Sequence, residues 1–303
     1  MKKVLSLLLV ALLAVGLTAC GTSSDSGSNG KDGDPEKLIM GFVPSQDSDE
    51  IADTVKPLAD KLSEELGIEV EGQLMTDYSA LVEAMGSNKV QIGFLPAFGY
   101  VLANEKHNVE VILKSERYGS GTYRAQYVVR ADSGIESLED MKGKTWAIPD
   151  LASTSGFLFP AAQIMDKFNV EDVQSGFFSN TIEAGGHDNA LISVYDGNAD
   201  VATTFDDARN TIEDDYPDVK DKLKVIEYTS DIPNDTISVT EELSDEWKQK
   251  IKETFLSFND DEEMIQIMKD VYSWDAIIEA EDSEYDVVRS TYEKFKDQNL
   301  LDN

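Results

Sequence analysis

The residues best suited to chemistry stand in a few short stretches. "DLASTSGFLFP", residues 150–160, sets Ser153, Thr154 and Ser155 side by side before Gly156 and an apolar run. The upstream "GKTWAI" reads as a short buried strand, so the hydroxyls stand where a helix leaves a sheet edge. A helix N-terminus carries free N–H groups and a partial positive charge. With three hydroxyls added, it could hold a tetrahedral oxyanion, whose acceptors surround one centre. Gly156 would then let the anion approach closely. The bland alternative is that Ser153 caps the helix while Thr154 and Ser155 face water.

"AGGHDNAL" begins another helix after two glycines and offers His187 as a donor at a strand-to-helix turn. The other histidine, His107, lies in a polar stretch after a helix. "TTFDDARN" places Asp206 and Asp207 where a strand gives way to a helix, and "IPNDTI" places Asp235 just before a strand. Such carboxylates could cap helices, bind a cation or ammonium group, or accept a proton from a hydroxylated ligand. Tyr78 in "MTDYSA" and Tyr123 and Tyr127 in "TYRAQY" either join the core or line a cleft. A triad of Ser155, His187 and Asp206 can be drawn, which keeps a surface-anchored hydrolase as an alternative. The chain has no GxSxG, HExxH, CxxC, P-loop or dinucleotide glycine fingerprint, so no catalysis, cofactor or metal ligation is expected.

The elements that must position these groups alternate. From residue 38 to 114 the pattern runs strand, helix, strand, with Val55, Leu58, Ala59, Leu62 and Leu66 on one helical face. "TYRAQYVVRADSG" reads as an extended strand leaving that unit, and a second strand–helix unit follows through "ADVATTF". "KVIEYTS" and "DTISVT" are strands again, and the tail, roughly 244–298, reads as helical. This order predicts an α/β fold of two lobes, with mainly parallel sheets, two crossover strands and C-terminal helices. The expected division is 38–128 with 232–303 in lobe 1 and 129–231 in lobe 2, with hinges near 128–132 and 226–232. Ligands in such folds bind outside the carboxyl ends of strands, here between the lobes.

Residues 1–19 read as a signal peptide: "MKK", then an apolar run of 14 residues, too short to span a bilayer comfortably. The run ends in "LTAC", whose Cys20 is the chain's only cysteine, and this resembles a bacterial lipoprotein signal. The resemblance implies a lipid on Cys20 and a protein tethered outside the cell membrane. Residues 20–37 are the lipidated cysteine and a flexible Gly/Ser-rich tether. The mature chain would have no disulfide framework. A formal net charge of −33 excludes the basic stripe that nucleic acid needs.

Taken in order, the segments "GFVPSQDSDEIADTVKPLADKL", "TDYSALVEAM", "IGFLPAFGYVLA", "STSGFLFP", "GGHDNAL" and "IPND" resemble the phosphonate-, phosphite- and phosphate-binding proteins of bacterial ABC importers. The resemblance covers roughly 38–298 and implies the type II periplasmic-binding fold, with ligand trapped between closing lobes. It implies that Ser153, Thr154, Ser155 and His187 donate to phosphorus-bound oxygens, and that Tyr78 and Tyr123 line the cleft. It further implies that Asp207 or its neighbour Asp206, together with Asp235, meets a ligand amine where there is one. Of the lysines and arginines, only Arg124 adjoins one of these expected ligand residues, Tyr123. The expected partners are a small phosphorus oxyanion and a membrane permease, and the expected state is a monomer. A ligand-free sensor or interaction module is the remaining alternative.

Overall fold

The computed structural model describes residues 35–298, so the signal, Cys20 and nearly all of the tether lie outside the described residues. Eleven strands are described. They are β1 Lys37–Phe42, β2 Glu69–Leu74, β3 Ile92–Leu95, β4 Glu110–Glu116, β5 Thr122–Arg130 and β6 Thr145–Ile148. β7 Asn180–Glu183, β8 Val201–Phe205, β9 Leu223–Pro233, β10 Thr236–Val239 and β11 Ala276–Glu279 complete the set. They form two sheets, ordered β11-β4-β10-β3-β1-β2 and β7-β6-β8-β5-β9. This is the α/β two-lobed type II fold, one lobe around each sheet.

Both sheets are mixed. β1 pairs in parallel with β2 and β3, and β6 with β7 and β8, as strand–helix alternation dictates. The antiparallel pairs come from strands that pass between the lobes or return from the tail. β10 enters between β3 and β4, β11 joins β4, and β5 takes β8 and β9 on its two sides.

The passage between lobes differs from the expected division. Residues 122–128, expected in lobe 1, are part of β5 and pair with β9 deep in the second sheet. The segments that cross between the sheets are 117–121 and 234–235; of the expected hinges, 128–130 and 226–232 lie inside β5 and β9 and pair in the second sheet, and 131–132 only follow β5. Asn234 fastens the two segments: its side-chain amide donates to Ser115 O at 3.0 Å and Ser120 O at 2.8 Å. Its backbone N–H bonds Gly121 O at 3.1 Å.

One core packs the helix Ser48–Leu66 against the first sheet with the helices Asp245–Ser257 and Glu262–Tyr272. All five residues expected on the inner face of Ser48–Leu66 are buried, joined by Ile51. A second core sits under the helix His187–Tyr195. The largest core runs from one lobe into the other, so the lobes meet through apolar side chains as well as at the cleft. The tail is not wholly helical, since β11 interrupts it. Its last turns also leave the first lobe: Phe295 packs on Phe157 at 5.8 Å between ring centroids, Lys294 pairs with Asp166, and Gln298 bonds Glu171 O.

Candidate functional site

The cleft begins at the end of β6. After Pro149, the chain turns through Asp150 and enters one π-helical turn, Thr154–Leu158, that runs on as the α-helix Phe159–Phe168. Ser153 is the N-cap; its Oγ accepts from Gly156 N at 3.0 Å. The wide turn is pinned from below by the Thr203 hydroxyl, which donates to Gly156 O and accepts from Trp146 Nε1 at 2.8 Å. Gly156 has a different reason from the one its motif suggested. A Cβ there would lie 2.2 Å from Pro149 Cγ, so the glycine lets the turn sit on the strand end rather than lets an anion approach.

Three hydrogen bonds cross from lobe to lobe around this turn. Phe98 N donates to Thr154 Oγ1 at 2.9 Å, His187 N to Ser45 O at 2.8 Å, and Tyr78 N to Asp150 Oδ2 at 3.5 Å. Beside them, between the lobes, lies a cavity of about 40 Å³. Since about 10–15 Å³ of this measure holds one water, the space suits a compact group of a few heavy atoms.

Seven of the nine ligand residues expected from sequence line this cavity: Tyr78, Tyr123, Ser153, Thr154, Ser155, His187 and Asp235. Asp206 and Asp207 are not among its lining residues. Asp207 is exposed and in the left-handed region at φ 60°, with no capping bond from its side chain. Asp206, partly buried, stands just behind the wall. Tyr127 is core, its hydroxyl bonded to Pro160 O at 2.9 Å.

The sequence reading missed several lining groups. Ser45 and Gln46 follow β1, while Tyr272 and Trp274 come from the end of the helix Glu262–Tyr272 and the residues after it. The chief omission is Arg117. It is 7% exposed, with its guanidinium 4.8 Å from the Phe205 ring centroid and 6.0 Å from that of Tyr123. A tight turn aims it: Arg117 and Ser120 exchange backbone bonds of 3.0 and 2.9 Å, with Tyr118 and Gly119 at φ 53° and 71° between them.

Donors without protein partners concentrate here. Tyr78 Oη, His187 Nδ1, Arg117 Nε and Trp274 Nε1 are all buried, and none has a hydrogen-bond partner among the described residues. Leaving such a group unpaired costs about 1–3 kcal/mol, so four around one cavity mark a place built for acceptors. Burial, reinforced by Arg117, pushes the His187 imidazole down to about 3, so it is neutral and can give one N–H. Its Nε2 lies 3.5 Å from Ser153 Oγ, and its ring meets Phe205 edge-on. Burial pushes the Asp235 carboxyl up to about 6 against the pull of Arg117. Asp206 is likewise raised by burial and held back by Arg117.

A family described as the periplasmic substrate-binding protein of phosphonate ABC transporters matches residues 40–285. The chain is 29% identical over 255 residues to the phosphate-import protein PhnD of Mycolicibacterium smegmatis, covering 81% of this chain and 78% of that one. It is 28% identical over 226 residues to the phosphonates-binding periplasmic protein of Escherichia coli, covering 73% of this chain and 66% of that one. The binding-protein component of an ABC phosphonate transporter from Pseudomonas aeruginosa superposes with a TM-score of 0.77 at 25% identity, over 85% of this chain and 86% of that one. PhnD1 of Prochlorococcus marinus, solved with methylphosphonate, gives 0.76 at 19% identity, over 86% and 99%.

Proposed function

The chain belongs to the periplasmic substrate-binding proteins of phosphonate ABC transporters, and from that membership we propose that it captures a small phosphorus oxyanion in the cavity under Ser153, Thr154 and Ser155. The observation that carries the assignment is the convergence of donors lacking protein partners on one compact space between the lobes. In this reading the three hydroxyls and the first-turn N–H groups hold the phosphorus-bound oxygens. His187, Tyr78 and Tyr123 donate from the sides and Arg117 supplies the charge. Charge-assisted bonds contribute about 1.5–3 kcal/mol each, and six give a gross of roughly 9–18 kcal/mol. Association and ordering consume part of that, and micromolar binding needs only about −8 kcal/mol.

The lobes open and close about 117–121 and 234–235, trapping ligand as the three cross-lobe bonds form. The loaded protein, a monomer, delivers its ligand to a membrane permease from outside the cell membrane, tethered by a lipid on Cys20. The hydrolase alternative lacks support. The hydroxyl in contact with the His187 imidazole belongs to Ser153, not Ser155, and no acid among the described residues orients its Nδ1.

A thermal-shift panel tests the assignment: phosphate, phosphite, methylphosphonate, 2-aminoethylphosphonate and sulfate against the purified protein. A ligand at a hundred times its Kd adds about 2.7 kcal/mol, an easily visible shift. At least one phosphorus compound should raise Tm. Ser155→Ala should lose about tenfold or more in affinity for it while the ligand-free Tm holds. A panel with no response in the millimolar range would sink the oxyanion reading.

A further inference from the structure

Resting on that oxyanion reading, we infer that Arg117 decides which phosphorus compounds enter: the cavity takes a compact, amine-free anion and turns away aminoalkylphosphonates. Carboxylates beside an anion site ordinarily suit a ligand that carries its own ammonium group. Here the protein carries that cation itself. Arg117 and Asp235 line the same cavity, and the guanidinium lies over Phe205, the residue next to Asp206. None of the carboxylates among the described residues comes within 4.0 Å of the guanidinium, yet it is 7% exposed with Nε lacking a partner. A buried cation held near, but not against, two acids keeps its donors for a third party.

Two consequences follow for the ligand. An ammonium group brought toward Asp235 would face a fixed, desolvated positive charge, where like charges are repelled far more than in water. An anion brought to the same place gains that charge as a fork of N–H donors. Size acts in the same sense. The cavity is small, so a longer substituent finds less room there than a compact anion does. Phe205 and Tyr123, with ring centroids 4.8 and 6.0 Å from the guanidinium, favour a cation at this place.

Calorimetric titration of the wild-type protein with phosphate, phosphite, methylphosphonate, 2-aminoethylphosphonate and propylphosphonate, the amine's isosteric hydrocarbon, tests this. At least one of the first three should bind a hundredfold or more tighter than 2-aminoethylphosphonate. Propylphosphonate should bind tighter than 2-aminoethylphosphonate, which separates charge from size. Arg117→Gln should weaken the preferred anion at least tenfold and narrow its advantage over the amine at least tenfold. Arg117→Lys should keep that advantage. Binding of 2-aminoethylphosphonate as tightly as the best amine-free anion overturns the proposal, while leaving the oxyanion reading standing. So does an equal loss for all ligands in Arg117→Gln. No binding of any phosphorus compound overturns both. The wild-type comparison decides even where a variant fails to fold.

Discussion

Asp235 shows how one side chain ties the cavity to pH. Its folded value of about 6 lies above the ordinary carboxylate value of about 4, chiefly through burial. The folded state therefore holds this proton more tightly than the unfolded chain. Stability from this group is fully present below the ordinary value and is lost as pH rises through about 6. Asp235→Asn removes the titration. The ligand-free variant should match wild type near pH 4 and exceed it by about 1–3 kcal/mol at pH 7.5, read as Tm against pH. Equal differences at both pH values would deny Asp235 its buried, charged state. His187 runs the other way, because its neutral form is the one the fold prefers. At this scale the hydroxyls, His187 and the tyrosines were legible because each belongs to a short local motif. Arg117 was not, since "SERYGSG" reads only as a loop and its aim depends on a crossing between two sheets.

Among the elements, the turn at 153–158 does the positioning, and its geometry depends on a glycine in contact with Pro149. Gly156→Ala should cost about 1–3 kcal/mol of stability by overpacking that contact. It should also weaken anion binding, because the turn that holds Ser153 and Ser155 must shift; a variant with unchanged Tm and affinity would show that the turn yields freely. The alternation of strands and helices gave the parallel pairs directly. β11 escaped because four residues carry too little pattern, and its place is set by pairing with the distant β4. The misplaced hinges have a similar cause. Strand character over 122–130 and 223–233 is visible in sequence, but which sheet those strands join is settled by partners far along the chain. Asp206 and Asp207 illustrate the finest version of the problem. A backbone at φ 60° turns Asp207 out to solvent, and sequence spacing cannot resolve a step of one residue.

For the molecule as a whole, charge and tether belong together. With 59 acidic and 26 basic residues, the protein is repelled by anionic lipid surfaces. No helix among the described residues is long and apolar enough to cross a membrane. The proposed lipid on Cys20 would hold such a receptor beside its permease. Cys20→Ser should release the protein from the membrane fraction into the medium or a soluble extract, leaving ligand affinity unchanged; retention in the membrane fraction would remove the lipid from the account.

Trp274 stands on the first lobe's side of the cleft. The chain has three tryptophans. Trp146 is sealed in the second lobe with its indole N–H on Thr203, and Trp247 packs in the core of the first. Trp274 alone faces the cavity, with its N–H unpartnered and its ring 5.6 Å from Phe94. Indole emission shifts with local polarity and hydrogen bonding, and the other two emitters do not line the cavity. Trp274 emission should therefore change when an anion fills the cleft, an optical gauge that needs no dye, label or coupled transporter.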